Sequence, residues 1–322
     1  MENLELHRGD LVEVKSPGEI LATLDAQGRY EGLPFMPEMA QFCGQRFPVR
    51  ARADKLCDTV NYSGSRRLPD GVLLGDVRCD GSGHDGCQAA CRIFWKTAWL
   101  RRVVPDMPAS PPFPHEDVEL LRQRTQPYTR SESEANGKTE ITYVCQNTEL
   151  PKCTELLNLW NPGPYINEYT SGNVSFRHFL TVTTRAAITE PKRKLGLVPE
   201  IHLPGTASKD ERFPALDLQP GEWVRVKSKE EIARTLTSDG RSFGMWFDKD
   251  MFPHCGKVYR VRQRISRFVH EPNGKMLTPK MASVTLEGVV CSGDYAVCRW
   301  FCPREIYPYW REFWLERVAA PK

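Results

Sequence analysis

Residues 9–79 lie over residues 221–291 with one constant offset of 212 and no gap, and roughly a third of the aligned positions are identical. No other feature constrains the fold as strongly, because two segments that keep one pattern must solve one packing problem twice. The correspondence runs from Gly9/Gly221 through Val12/Val224, Glu19/Glu231, Phe35/Phe247, Cys43/Cys255 and Arg52/Arg264 to Cys79/Cys291. One residue then drops out. The step Cys87 to Cys91 returns as Cys298 to Cys302, and Trp99-Leu100 returns as Trp314-Leu315 after a short insertion.

Each segment opens with alternating apolar residues, Leu11/Val12/Val14 and Trp223/Val224/Val226, which predict a short strand. Ser16 to Glu19 and Ser228 to Glu231 have capping-box spacing ahead of a brief helix. Residues 47–52 and 259–264 again alternate like strands. The expected fold is mainly β with short helices (α+β): a tandem duplication of a small curled, barrel-like β-sheet lobe, each with a four-cysteine metal centre, plus a middle insert. The expected boundaries are a first lobe over 5–103, a Pro-rich and polar linker over 104–139, an insert over 140–185, a linker over 186–216 and a second lobe over 217–320. Within these, 116–124 reads as helix, 141–145 and 179–183 as strands, and 153–160 as a short helix. A helix over 87–99 would put Cys87, Cys91, Trp95 and Trp99 on one face. In the second lobe, Pro303 and Pro308 postpone a helix to about residue 310.

Four cysteines recur in each segment: Cys43, Cys79, Cys87 and Cys91 in the first, Cys255, Cys291, Cys298 and Cys302 in the second. Thiolates are soft anionic donors, and four of them close a tetrahedral zinc site or hold a cubane cluster. Two metal centres, each bound by four cysteines, are therefore expected, with Zn²⁺ favoured over [4Fe-4S]. A closed four-thiolate zinc site leaves no open position and would be structural. Against zinc stand the absence of a C-x2-C knuckle and the Cys302-Pro303 step, which suit an iron–sulfur cluster. Cys57, Cys145 and Cys153 have no counterpart in the alignment. They read as ordinary thiols or as an additional three-thiolate site with His270, His178 or an exchangeable ligand as fourth, the last leaving an open position of the catalytic kind. His84, on a glycine-rich loop beside two of the recurring cysteines, reads as a solvated histidine or as one that tunes a cluster by hydrogen bonding.

The chain has 322 residues and 11 cysteines, lacks a secretory leader pattern at its start, and has no apolar run of membrane-spanning length. A cytoplasmic protein with no membrane partner is the expectation, and thiols in a reducing compartment favour metal binding over disulfides. The formal net charge of +3 is too small to demand a polyanion. The repeated pairs Arg50/Arg52 and Arg262/Arg264 each point one way on a strand. They balance thiolate charge or form a polyanion-binding face, with Tyr259, Trp99 and Trp314 as stacking residues. No phosphate-binding loop, nucleophile elbow or zinc-protease motif is present. Two functions follow: a metal-stabilised binding or interaction module with a nucleic-acid or protein partner, and a zinc or iron–sulfur metalloenzyme, with redox chemistry in the latter case.

Overall fold

The computed structural model describes residues 4–135, 137–197, 203–209, 211–295 and 299–321, so Cys298 lies outside the described residues. The chain is mostly β with few short helices, and it separates into two compact units. Unit 1 comprises residues 4–179 together with 268–277 and 299–304; unit 2 comprises the remaining described residues.

Each unit contains a curled five-stranded antiparallel sheet. In unit 1 the spatial order is Arg92–Lys96, Gly71–Arg78, Arg46–Arg52, Leu11–Val14, Leu100–Arg102. In unit 2 it is Trp310–Arg311, Ser283–Leu286, Val258–Arg264, Trp223–Val226, Leu315–Arg317. The registers correspond: Val12 faces Phe47 and Val224 faces Tyr259. The second ladder interrupts its register between Val49 and Ala51 in one sheet and between Val261 and Gln263 in the other. Such an irregularity sharpens local twist and bends a strand, which curls a sheet around its concave face.

The concave face of each sheet is filled by matching side chains. Val12, Val14, Ile20, Phe35, Trp95 and Trp99 are buried in unit 1, and Val224, Val226, Ile232, Phe247, Trp310 and Trp314 in unit 2. Phe35 meets Trp99 edge-on at 5.1 Å and Phe247 meets Trp314 at 5.2 Å. A buried indole N–H needs an acceptor. Trp99 Nε1 donates to Thr23 Oγ1 at 3.0 Å, and Trp314 Nε1 to Thr235 Oγ1 at 2.8 Å. Both capping boxes form, at Ser16/Glu19 and Ser228/Glu231.

Several local expectations give way to the ladder. Residues 87–99 are not a helix: Ala90 adopts a left-handed φ of 49°, and Arg92–Lys96 is a strand pairing Val72 with Trp95. Residues from 310 likewise form strand Trp310–Arg311, a 3-10 turn and strand Leu315–Arg317. Residues 179–183 lie within helix Phe176–Lys194, and Glu155–Leu157 is a strand paired to Ser65–Arg67. Helix His115–Thr125 and strand Lys138–Tyr143 agree with the reading of 116–124 and 141–145.

Candidate functional site: a thiol-lined cavity

The cavity lies wholly within unit 1. Strand Gly71–Arg78 delivers Cys79 to its rim, and the Cys79 N–H donates to Cys91 O at 2.8 Å, so the two cysteines hold the mouth of one ladder. Between them the loop folds through a 3-10 turn, Ser82–His84. Gly81 has a φ of 78°, and a Cβ there would stand 2.0 Å from Cys87 O, so only glycine allows the backbone this close. A Cβ on Gly83 would lie 2.5 Å from Glu38 Oε2. These two glycines let the loop press His84 and Cys87 toward the 3-10 helix Pro37–Phe42, which carries Glu38.

Glu38, Cys79 and His84 offer ligand atoms that all lie within 4.8 Å of one another, the only such group of three or more His, Cys, Asp or Glu residues among the described residues. Cys79 Sγ donates to Glu38 Oε1 at 3.0 Å, while Glu38 Oε2 is buried without a hydrogen-bond partner. His84 is buried, which corrects the expectation of a solvated loop residue. Its Nε2 lies 3.0 Å from Val144 O. A carbonyl only accepts, so Nε2 donates to it, and Nδ1 is turned to the side of the acid and the thiol, 3.8 Å from Glu38 Oε1. Imidazoles that bind metals are oriented in this way.

Cys79, Cys87, Cys91 and Cys145 line a common cavity of about 40 Å³ with Glu38, His84 and Glu271. Cys87 Sγ accepts the Val269 N–H at 3.3 Å. Burial raises the Cys79 thiol well above its ordinary range, and the charge and hydrogen bond of Glu38 add to this. Burial raises Cys91 in the same way, with Glu271 adding and Arg304 opposing. Burial pushes Cys145 up to about 12. Without a cation these thiols stay protonated; a soft metal ion would invert that balance, since a coordinating thiol ionises outright.

Beside the cavity, Glu271 leads to a second cysteine group. Arg304 Nη2 lies 2.9 and 3.0 Å from the two Glu271 carboxylate oxygens and 3.0 Å from Asn147 Oδ1. Its Nη1 donates to Thr59 Oγ1 at 2.7 Å and to Cys57 O at 3.0 Å, and stands 3.7 Å from Cys57 Sγ. Cys57 and Cys302 lie with their sulfurs 3.4 Å apart.

The recurring cysteines are thus divided. Cys79, Cys87 and Cys91 share a cavity, joined by Cys145. Cys43 instead ends its 3-10 helix and packs on the hydrophobic core, and Cys255 does the same in unit 2, with closely similar backbone angles. Cys302 belongs to unit 1, whereas Cys255 and Cys291 belong to unit 2. The ladder explains the mismatch: Cys291 N–H donates to Ile306 O at 2.8 Å, the bond that Cys79 makes to Cys91, so Cys91 corresponds to Ile306 and not to Cys302. The set Cys57, Cys145, Cys153 and His270 is not gathered either. Cys153 is in the core, and His270 Nδ1 lies 3.0 Å from Asn273 Oδ1 in a hairpin turn. His178 packs against Phe301.

The arginine pairs are tied to local groups. Arg52 binds Asp54 at 2.6 Å, Arg262 stacks over Tyr307 at 4.5 Å, and Arg264 binds Asp217; Arg50 lies on the same strand as Arg52. Trp99 and Trp314 are completely buried, which removes them as stacking platforms, and the Tyr259 hydroxyl is engaged with His254 Nδ1 at 2.6 Å. Sequence reasoning missed Glu38, Glu271 and Arg304. Glu38 aligns with Asp250 and only its charge is kept; Glu271 and Arg304 carry no local signal at all. Among the described residues no helix is long and apolar enough to cross a membrane. Comparison with models of known families, with curated proteins and with solved structures finds no match.

Proposed function

We propose that the protein is a metal-stabilised interaction module whose unit 1 holds one zinc ion at the thiol-lined cavity. The observation that carries this reading is the convergence of Cys79, His84 and Glu38, whose Oε2 is buried without a hydrogen-bond partner, on a cavity lined by three further cysteines. Cys79 Sγ and His84 Nδ1 would be two of the four donors, and two thiolates drawn from Cys87, Cys91 and Cys145 would complete a tetrahedral set. A mixed sulfur and nitrogen set suits zinc better than a cubane. Zinc would supply the positive charge that lets buried thiols ionise, and its binding free energy would add to folding. A second centre is not part of this proposal, because Cys302 lies in unit 1 and Cys255 packs on a core. We further infer that the two sheets descend from a tandem duplication, supported by equal strand order, the 212 offset in register and the matched Trp–Thr bonds.

Protein or peptide partners fit this reading better than nucleic acid, since Trp99 and Trp314 are buried, the Tyr259 hydroxyl is bound to His254, and Arg52, Arg262 and Arg264 are engaged locally. A metalloenzyme reading is favoured by one observation alone, the buried His84 imidazole 3.8 Å from the buried Glu38 carboxylate, which is acid–base equipment next to a metal. Elemental analysis of protein purified under reducing conditions tests the centre. About one zinc per chain is expected, lost in Cys79→Ser and His84→Ala and retained in Cys302→Ser. Iron with matching sulfide would replace the zinc reading by a cluster, and a folded, reduced, metal-free protein would end it.

A further inference from the structure

We propose that Cys57 and Cys302 are a redox-active dithiol, a covalent modification site that exchanges with low-molecular-weight disulfides. The pair is distinct from the cavity donors. Its sulfurs are 3.4 Å apart, the Cys57 N–H donates to Cys302 Sγ at 3.2 Å, and the Arg304 guanidinium lies 3.7 Å from Cys57 Sγ. Among the described residues no third His, Cys, Asp or Glu completes a metal-type group around them. The sheet architecture requires neither residue: Cys57 aligns with Val269 in the other segment, and Cys302 has lost its apparent counterpart Cys91 to Ile306.

The two sulfurs are chemically unequal. The hydrogen bond from Cys302 and the charge of Arg304 hold the Cys57 thiol below the ordinary range, while burial and the Cys57 sulfur raise Cys302. A thiolate beside an arginine with a protonated thiol in contact is the arrangement of an attacking and a resolving cysteine. Cys57 sits in the two-residue strand Leu56–Cys57, which pairs on one side only, and Cys302 lies just after the turn that carries Trp300 and Phe301, outside any strand. Both are nearly covered, at 5% and 7% exposure, so exchange requires that turn to open.

The reaction closes as follows. The Cys57 thiolate attacks one sulfur of R–S–S–R, forming Cys57–S–S–R and expelling RS⁻. Cys302 then gives its proton to solvent or to the departing thiolate, and its sulfur attacks Cys57 Sγ, breaking the mixed disulfide and expelling a second RS⁻. Two protein thiols are oxidised to one disulfide, and R–S–S–R is reduced to two RSH, with the two thiol protons ending on the products.

The test uses the full chain equilibrated with graded ratios of oxidised to reduced glutathione, acid-quenched, alkylated and mapped by mass spectrometry. The expected result is a Cys57–Cys302 disulfide that rises with the ratio and is reversed by dithiothreitol. In Cys302→Ser, Cys57 should accumulate a single glutathionyl adduct, and in Cys57→Ser the Cys302 thiol should stay unmodified. Zinc content should be unchanged in both variants, so failure here is distinguishable from failure of the zinc reading. The proposal is overturned if the disulfide never forms in the wild-type chain while other cysteines oxidise. Equal adduct formation in the two variants overturns the assigned roles, and protection of both thiols that is lifted only by a metal chelator would make the pair a metal site instead.

Discussion

Glu168, in helix Gly163–Thr170, has no exposed surface; its Oε2 accepts from Asn173 Nδ2 at 2.8 Å and its Oε1 has no hydrogen-bond partner. Burial, with Asp54 adding, pushes its carboxyl up to about 8 from an ordinary value of 4.5. The folded protein therefore holds a proton there that the unfolded chain releases, so this contribution to stability is complete below about pH 4.5 and is lost as pH rises through about 8. Denaturant midpoints measured between pH 5 and 9 should fall with pH in the wild type, and Glu168→Gln should remove much of that slope. A second residue-scale expectation concerns the matched threonines. Thr23→Val and Thr235→Val each leave a buried indole N–H without an acceptor, at a cost of about 1–3 kcal/mol in urea unfolding. At this scale the sequence was readable where both segments keep a residue for packing, as with Phe35/Phe247. It misled where cysteine spacing stood in for ladder register, because a C-x3-C step is matched by eye long before a hydrogen bond fixes which residue faces which.

Short helices with complete caps are the elements that the sequence specifies most locally. In Pro17–Leu21 and Lys229–Ala233, a serine side chain receives the N3 backbone N–H and a glutamate returns to the serine N–H. Replacing Ser16 or Ser228 by alanine should cost about 1 kcal/mol each, and the two effects should add in the double variant, since neither cap shares a partner with the other. Thermal unfolding of the two single variants and the double variant checks both statements. The alternating strands were legible for the same reason, a period of two over a few residues. Residues 87–99 were not, because four apolar or thiol side chains at every fourth position imitate a helix face while the left-handed Ala90 and the pairing of Val72 with Trp95 impose a strand. The β-branched run near 179–183 erred in the opposite direction and is helical within Phe176–Lys194. In the 87–99 case a contact distant in sequence outweighed propensity.

Unit 1 is not a continuous stretch of chain. Residues 268–277 supply a hairpin whose Gly274 O accepts the Tyr143 N–H at 2.7 Å, and residues 299–304 supply Trp300 O, which accepts from the buried Lys55 Nζ at 2.8 Å. A linear reading of the sequence places lobe boundaries where the alignment ends and has no means of returning later segments to the first lobe. A chain cut after residue 179 would leave Lys55 without that carbonyl and Cys57, Thr59 and Asn147 without Arg304. Hydrogen exchange should then be markedly faster at residues 55–59 in the fragment than in the intact chain, whereas equal protection would mean that these late segments add nothing to unit 1.

That discontinuity also sets a clock on biosynthesis. Cys57 and Cys302 are separated by 245 positions. At a synthesis rate of about 5–20 residues per second, Cys57 would leave the peptidyl-transferase centre about 12–50 s before its partner is made. Throughout that interval the thiol, the amine of Lys55 and the unfinished rim of unit 1 are exposed to the cell. A ribosome pausing anywhere between residues 180 and 300 would prolong the exposure, so the yield of native protein should depend on how fast the second half is translated as well as on the stability of the finished fold.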